Sequence, residues 1–401
     1  MKLSSGYPLS LIKNGLLFSY PKLAKNIKTD VLVLGGGISG ALTAHYLVQE
    51  GVDCVLIDAR TIGLGSTCAS TSLLQYEIDV SLHELIKMVG TKAAVRSYKL
   101  GVSAILKLEA LARKIGVHDF ERKQSLYSAA YKKDVSFLRE EYAARKKHGF
   151  DVRYLDEASV YKQFGFASHG AILSDVAAAI DTYLLTHSLL QFNLNKGLKV
   201  YDRTPAISIE HNQRNVQIKT PDKFVIRAKK LVYATGYEVV DFISKPIVKL
   251  ASTYAIASES FNATQKFGKK DAVIWNTAKP YLYMRTTNDN RIIIGGRDEE
   301  FFSHLRRDRL IPQKTRQLKT DFEKMFPAIP FKTEFSWAGT FGSTKDGLPY
   351  IGAYKKFPNS LFALGFGGNG ITFSQVAGEI IASIIKGKKN RDVELFSFER
   401  K

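Results

Sequence analysis

A glycine-rich loop between two apolar segments constrains this chain more than any other feature. A short apolar run predicts a buried strand, and Gly35, Gly37 and Gly40 follow it at G-x-G-x-x-G spacing. Residues 52–57 predict a second strand, which ends at Asp58. In a strand, loop, helix and strand unit, such glycines let backbone N–H groups approach a pyrophosphate, and the acid can bind a ribose hydroxyl. The stretch therefore predicts a dinucleotide site, and the acid disfavours NADP.

A Ser- and Thr-rich run and a short glycine turn follow at positions that can contact the same ligand. Residues 65–72 have the sequence GSTCASTS, in which Ser66 or Thr67 is a plausible N-cap of a helix that faces phosphate or a flavin edge. Residues 230–234 predict a buried strand that ends in the small residues 234–236. Because ligands bind outside the carboxyl ends of strands in a doubly wound sheet, this turn should also contact the nucleotide.

The C-terminal segment repeats the strand, loop and helix pattern. Residues 361–364 predict a strand, residues 365–370 form a glycine-rich loop around Asn369, and residues 372–385 predict a helix. A helix N-terminus stabilises negative charge of the kind that reduced flavin carries near N1 and the C2 carbonyl. NAD needs no such second loop, so the pattern favours a flavin.

The rest of the chain predicts a second domain. An antiparallel meander that can cover the site is indicated by four strand-like segments, residues 252–257, 272–275, 281–285 and 291–295. We therefore expect an α/β (α+β) fold, with a Rossmann-like dinucleotide-binding domain and a second, mainly antiparallel-sheet substrate domain, discontinuous in sequence. The dinucleotide-binding domain would comprise residues 1–85, 150–245 and 332–401, and the substrate domain residues 86–149 and 246–331. Residues 1–29 should form an arm around the first domain.

Composition limits the environment and the partners. The net charge is +20, but the basic runs are scattered, with examples at 145–147, 269–270 and 306–307, so a nucleic-acid partner is not expected. Two cysteines exclude a disulfide framework and a four-ligand zinc site, and we predict no metal. No apolar run reaches the roughly 18 residues of a membrane span, and the N-terminal segment lacks a secretory pattern. These features predict a cytoplasmic protein.

Taken together, these segments resemble the D-amino-acid oxidase superfamily of FAD-dependent oxidoreductases over nearly all of the chain, in particular its glycine oxidase and γ-glutamylputrescine oxidase branch. The resemblance also rests on SWAGTFGSTKDGLPYIG at 336–352 and GFGGNGIT at 365–372. It implies FAD, and oxidation of a C–N bond in a small amine or amino acid by hydride transfer to flavin N5. The cofactor-binding residues that it implies are Gly35, Gly37, Ile38, Ser39, Gly40, Asp58, Ala59, Arg60, Gly65, Ser66, Thr67, Ala206, Ala234, Thr235, Gly236, Gly339, Gly367, Gly368, Asn369, Gly370 and Ile371.

The chain departs from this family pattern at informative positions. Amino-acid oxidases of the family place an Arg for the substrate carboxylate where this chain has Phe341, which disfavours an α-amino acid. Residues 280–296 instead resemble the γ-glutamylputrescine oxidase branch, whose substrates are amines. Positions at which relatives attach the flavin covalently are Gly339 and Ala69 here, so FAD should be non-covalent, with Cys68 beside it.

Hydride transfer to a flavin needs a neutral amine and correct placement more than an acid or a base, so no side chain is demanded as catalytic. The candidates to line the reacting face are Gln75, Tyr76, Tyr254, Tyr283, Arg285 and Lys345. Arg285 is also a candidate to bind a remote anionic group, and oxygen or another electron acceptor would reoxidise the flavin. Two alternatives remain open, a flavin enzyme that acts on a modified tRNA base and a flavin subunit of a larger dehydrogenase. A third is a NAD-linked dehydrogenase, although the second glycine loop argues against it.

Overall fold

The computed structural model describes residues 1–243, 247–261 and 271–400, so the basic pair 269–270 lies outside the described residues. Within this part the chain forms eighteen strands and nine α-helices. The strands are β1 (Ser4–Gly6), β2 (Ile27–Leu34), β3 (Cys54–Ile57), β4 (Leu73–Gln75), β5 (Glu121–Ser128), β6 (Val152–Leu155), β7 (Ala171–Ala179), β8 (Lys199–Tyr201), β9 (Ser208–His211), β10 (Val216–Lys219), β11 (Val225–Tyr233), β12 (Lys249–Ser258), β13 (Ala272–Asn276), β14 (Tyr283–Thr286), β15 (Ile292–Glu300), β16 (Thr333–Ser343), β17 (Tyr350–Ala353) and β18 (Ser360–Leu364). The helices are α1 (Leu9–Asn14), α2 (Ile38–Gln49), α3 (Leu82–Val89), α4 (Thr91–Lys114), α5 (Val135–Lys147), α6 (Glu157–Phe164), α7 (Thr182–Leu194), α8 (His304–Met325) and α9 (Gly370–Ile385).

The first sheet has a parallel centre. Strands β18, β11, β2, β3 and β8 lie side by side in this order and run parallel, while β17 pairs antiparallel with β18 and the β9–β10 hairpin extends β11. In β2, Val31 and Val33 belong to the core formed with α2, α7 and α9, and Leu32 and Leu34 belong to the core on the opposite face. Because both faces are buried, β2 is apolar at consecutive positions near its end, as the sequence predicts.

The second sheet is mainly antiparallel and has ten strands. Their order is β1-β16-β12-β15-β14-β13-β5-β7-β4, with β6 pairing to β7, and only β13 and β5 pair in parallel among these described strands. Helix α8 packs on β12, β15 and β16, and its Leu318 and Phe322 belong to the core beneath them. The two sheets confirm the predicted α/β fold class and the antiparallel second layer.

The partners of several strands differ from the assignment made by sequence. Strands β1, β4, β6, β7 and β16 pair in the ten-stranded sheet, although the sequence places their residues in the dinucleotide-binding domain. Residues 1–29 are likewise more than an arm, because they contribute β1 to that sheet and form the short helix α1. Local patterns predict that a segment is a strand but do not reveal its non-local partner. The domain boundaries stay a prediction.

The Ser- and Thr-rich run does not start a helix, so the prediction of a helix after it was wrong. Residues 62–69 form consecutive turns, and β4 begins at Leu73. The Thr67 hydroxyl instead accepts a hydrogen bond of 3.1 Å from the backbone N–H of Ile38, the first residue of α2. The capping chemistry predicted for Thr67 is therefore present, but it serves the helix that follows the glycine loop.

Candidate active site

The glycine loop between β2 and α2 has a shape that only glycine can adopt. Gly35 has φ +115°, and a Cβ on it would lie 2.3 Å from the carbonyl oxygen of Ala234. A Cβ on Gly37 would lie 2.8 Å from Thr67 Oγ1, and a Cβ on Gly40 would lie 1.8 Å from the carbonyl oxygen of Gly35. The first and last glycines thus permit close backbone packing, and the middle one leaves the N-terminus of α2 open to a ligand.

Asp58 lies at the end of β3 and organises this loop. Its carboxylate accepts hydrogen bonds of 2.7 Å from the backbone N–H groups of Gly36 and Arg60. Burial raises the pKa of Asp58, although these two hydrogen bonds oppose the rise. The Arg60 guanidinium forms a two-point pair with Glu238 at 2.9 and 2.7 Å, so the charge of Arg60 is already compensated.

One cavity of about 420 Å³ runs from this loop to the second sheet. Of the predicted cofactor-binding residues it is lined by Gly35, Gly37, Ile38, Ser39, Asp58, Ala59, Arg60, Gly65, Ser66, Thr67, Ala206, Ala234, Thr235, Gly236, Gly339, Gly367, Gly368, Gly370 and Ile371. Gly40 and Asn369 lie behind the wall. Gly40 packs α2 on the loop, and the Asn369 amide donates to the carbonyl oxygens of Gln75 and Glu77 at 3.1 and 2.7 Å.

Two of the six candidates for the reacting face line the cavity. Gln75 lies on β4, and Tyr283 lies on β14 opposite Gly295, where a Cβ would come within 2.4 Å of the phenol. Because Gly295 has no side chain, the Tyr283 ring can pack directly against it. Burial, followed by the charge of Asp298, raises the pKa of the Tyr283 phenol to about 12, so this side chain is a neutral donor at ordinary pH.

The other four candidates do not line it. Tyr76 is buried and stacks on Phe150 with ring centroids 5.6 Å apart. Tyr254 is buried beside Lys314 of α8, and Lys345 is exposed. Tyr254 points away from the cavity because it neighbours the lining residue Thr253 in β12, and neighbouring residues of a strand face opposite sides. Tyr76 follows the last residue of β4 and packs into the core, and a loop lysine such as Lys345 favours water.

Arg285 lies behind the wall rather than in it. Its guanidinium is buried and donates to the backbone carbonyl oxygens of Thr71, at 2.7 Å, and Thr286, at 3.0 Å. Burial lowers the pKa of Arg285, while Asp119 is the first of several acids that oppose this effect. Arg285 thus donates to the backbone of the wall residue Thr71, an arrangement that does not favour an anion-binding role, and that role stays a prediction.

The sequence missed three polar residues of the far end of the cavity, Thr253, Tyr281 and Asp298. Asp298 lies on β15, three residues beyond Gly295, where the strand predicted at 291–295 ends. Glycines inside a strand pattern often mark a bulge instead. If Gly295 and Gly296 are read as a bulge, the predicted strand continues past them and includes Asp298.

The positions relevant to substrate and flavin attachment cluster in the same wall. Phe341, Gly339 and Ala69 all line the cavity, and a Cβ on Gly339 would lie 3.9 Å from Cβ of Ala69. Cys68 is buried and does not line the cavity, and burial raises its thiol pKa to about 11. The two attachment positions are thus adjacent in space and carry no nucleophile.

Comparison with known proteins defines the class. The family model of FAD-dependent oxidoreductases (DAO) matches residues 30–384, and the chain belongs to this family, as its motifs predict. Glycine oxidase of Bacillus subtilis (strain 168) is 24% identical over 385 residues, which cover 93% of this chain and 97% of that protein. Gamma-glutamylputrescine oxidoreductase of Escherichia coli (strain K12) is 25% identical over 388 residues, which cover 93% and 87%. The crystal structure of glycine oxidase from Geobacillus kaustophilus shares the fold, with a TM-score of 0.80, 18% identity and coverage of 93% and 99%.

The residues of the cavity fit FAD, the cofactor of this family. The glycine loop supplies backbone N–H groups and the N-terminus of α2 for a pyrophosphate. Ser66 Oγ and Thr235 Oγ1 are buried, line the cavity and have no hydrogen-bond partner among the described residues. Polar atoms in this state favour a ligand that supplies their missing partners. Asp58, Ser66, Thr67 and Thr235 would hold the nucleotide.

The described residues also bear on membranes and metals. Among residues 1–243, 247–261 and 271–400, no helix combines the length and the hydropathy that crossing a membrane requires. In the same ranges, no three or more His, Cys, Asp and Glu side chains come together as a metal site. The cytoplasmic location stays a prediction.

Proposed function

We propose that this protein oxidises the C–N bond of a small amine, with FAD bound non-covalently. The observation that carries the proposal is one continuous cavity, which joins the glycine loop and Asp58 to a chamber walled by Tyr281, Tyr283 and Phe341. A dinucleotide and a small substrate can share this enclosure. The absence of a nucleophile at Gly339 and Ala69 supports the non-covalent form.

FAD, when bound, would supply a two-electron acceptor for a hydride from the carbon beside nitrogen. As that C–H bond breaks, the nitrogen lone pair forms a C=N bond, and water hydrolyses the resulting imine to a carbonyl compound and a free amine. The residues of the chain bind and orient the amine and exclude water from the reacting atoms. Oxygen or another acceptor then removes the two electrons.

The charges of the wall favour an amine over an amino acid. Among the described residues that line the cavity, Arg60 alone has a cationic side chain, and Arg60 is paired with Glu238. A substrate carboxylate would therefore be desolvated beside Phe341 without a cation to pair with. The similarity to gamma-glutamylputrescine oxidoreductase agrees with an amine, whereas that to glycine oxidases points to an amino acid.

The test begins with the absorbance of the purified protein. We expect flavin bands, release of the flavin into the supernatant on acid precipitation, and anaerobic bleaching by n-butylamine or by the free amine end of a γ-glutamylated diamine. Yellow colour kept in the washed acid pellet would contradict non-covalent binding. Fast bleaching by glycine or D-alanine alone would contradict the amine substrate, and a colourless protein that cannot be reconstituted with FAD would contradict the function as a whole.

A further inference from the structure

We propose that Asp298 is the counter-ion that selects the substrate, so that the cavity recognises a positively charged amine without a carboxylate. The inference deepens the proposed function and rests on it. It assigns a specificity-determining role to one carboxylate of the wall, which binds the ammonium form. The bound ammonium must lose one N–H proton, to Asp298 or to water, before its nitrogen lone pair can form the C=N bond.

A β-bulge directs Asp298 into the cavity. Strands β12 and β15 pair Ser252 with Glu299 and Tyr254 with Gly296, so that Thr253 alone faces two residues of β15, Arg297 and Asp298. Bulges of this kind re-aim side chains next to active sites. Thr253 and Asp298, the residues at this bulge, both line the cavity.

The bulge has a strained backbone and is held by side chains of helix α8. Arg297 has φ +57°, an uncommon conformation for a residue with a side chain. From helix α8, Lys314 donates to the carbonyl oxygen of Arg297 at 2.9 Å and pairs with Glu299 at 2.8 Å. Asp321, also on α8, accepts from Nε of Arg297 at 2.7 Å. A strained turn fixed by two charged side chains of one helix points to a function for the residue that it presents.

The carboxylate of Asp298 retains an unused acceptor, unlike the other acid nearby. Asp298 Oδ1 is buried and has no hydrogen-bond partner among the described residues. Asp79, by contrast, accepts from the Gly368 N–H at 2.9 Å and from the Tyr281 hydroxyl at 3.2 Å. A buried carboxylate oxygen is costly to leave unpaired, so a ligand that donates to Asp298 would be bound favourably.

The surroundings of Asp298 are suited to a cation. Tyr281 and Tyr283 lie in the same wall, and aromatic rings of this kind attract an ammonium group. Burial, and next the neighbouring charge of Asp79, raises the pKa of Asp298 to about 6, while Thr253 and Lys314 oppose the rise. The group is therefore ionised at neutral pH and becomes neutral in mild acid.

The test uses probes of similar shape and fixed charge on the holoenzyme. Tetramethylammonium, tert-butanol and trimethylacetate are titrated by calorimetry and by the change in the bound-flavin spectrum. We expect the wild type to bind tetramethylammonium best. Asp298→Asn should weaken that binding by about tenfold to a hundredfold, because the neutral amide removes the charge that attracts a cation with no N–H to donate. Asp175→Asn, at an exposed acid of β7 paired with Arg153, is the matched control and should bind as the wild type does.

The pH profile separates a counter-ion from a structural role. Since tetramethylammonium does not titrate, its affinity for the wild type should fall as pH drops below about 6, by about the factor that Asp298→Asn loses, and the Asp298→Asn profile should be flat. The folded pKa of Asp298 lies above its ordinary value of 3.8, so this group makes the protein less stable as pH rises from about 4 through about 6. The thermal midpoint of Asp298→Asn at pH 8 should therefore be no lower than that of the wild type.

The outcomes distinguish this inference from the proposed function. Equal tetramethylammonium affinity in the wild type and Asp298→Asn, or the same pH profile in both, would overturn the inference even if the flavin is reduced by amines. A protein that lacks flavin chemistry but loses tetramethylammonium binding on Asp298→Asn would overturn the function and leave the cation site standing.

Discussion

The two ends of the cavity are built in different ways. At the glycine loop, recognition depends on the backbone, because Gly35, Gly37 and Gly40 allow approaches that any Cβ would block. At the second sheet it depends on side chains, with Asp298 presented by a bulge between non-consecutive strands. The residues that allow backbone recognition are identified by their spacing along the sequence. The side chains that reach the ligand from the second sheet depend on which strands pair with each other. The first end is thus readable from sequence and the second is mostly not.

The strongest test of this contrast is Gly40→Ala. Its Cβ would lie 1.8 Å from the Gly35 carbonyl oxygen, so α2 or the loop must move. We expect FAD affinity to fall by about 100-fold, the upper end of the ~1–3 kcal/mol cost of overpacking. The measurement is the FAD dissociation constant of reconstituted protein, together with thermal unfolding.

Gly51→Ala, just beyond the other end of α2, is the matched control for this change. Gly51 has φ +72° with open space around its Cβ position, so alanine should cost about 1 kcal/mol of stability and leave FAD affinity intact. Wild-type FAD affinity in Gly40→Ala would mean that close packing of α2 is not what shapes the loop.

A smaller effect is expected for Asp58→Ala. The carboxylate holds the Gly36 N–H and can accept from the ribose, so its loss should weaken FAD binding by roughly 1.5–3 kcal/mol. Dialysis followed by flavin fluorescence measures the retention. Asp53→Ala changes an exposed acid, paired with Lys199, just before β3 and should retain FAD normally. Unchanged retention in Asp58→Ala would place the ribose elsewhere.

The smallest effect on ligands is expected for Arg285→Met, because Arg285 lies behind the cavity. Removing its guanidinium leaves the Thr71 carbonyl oxygen without this donor, so unfolding free energy should fall by about 1–3 kcal/mol. The substrate concentration at half-maximal flavin reduction should change little, and Arg153→Met is an exposed control. A large rise in that concentration at unchanged stability would restore Arg285 as a ligand residue.

Nineteen of the cofactor residues predicted from sequence line the cavity, because glycine spacing and small strand-end residues act locally. The predictions that placed Tyr76 and Tyr254 at the cavity failed for one reason. Gln75 lines the cavity but Tyr76 faces the core, and Thr253 lines it but Tyr254 faces α8. In a strand, a shift of one residue moves a side chain to the other face, and the sequence did not specify which face meets the ligand.

The central claim is that the second-sheet end of the cavity accepts an ammonium group, and that its described lining residues offer no unpaired cation to a carboxylate. The most direct measurement is anaerobic stopped-flow reduction by n-butylamine and by norvaline, both enantiomers, since norvaline is n-butylamine with a carboxylate on the carbon beside nitrogen. We predict that n-butylamine reduces the flavin with the lower apparent dissociation constant and that norvaline is poor in either form. Tighter binding and faster reduction by either norvaline enantiomer would contradict the account.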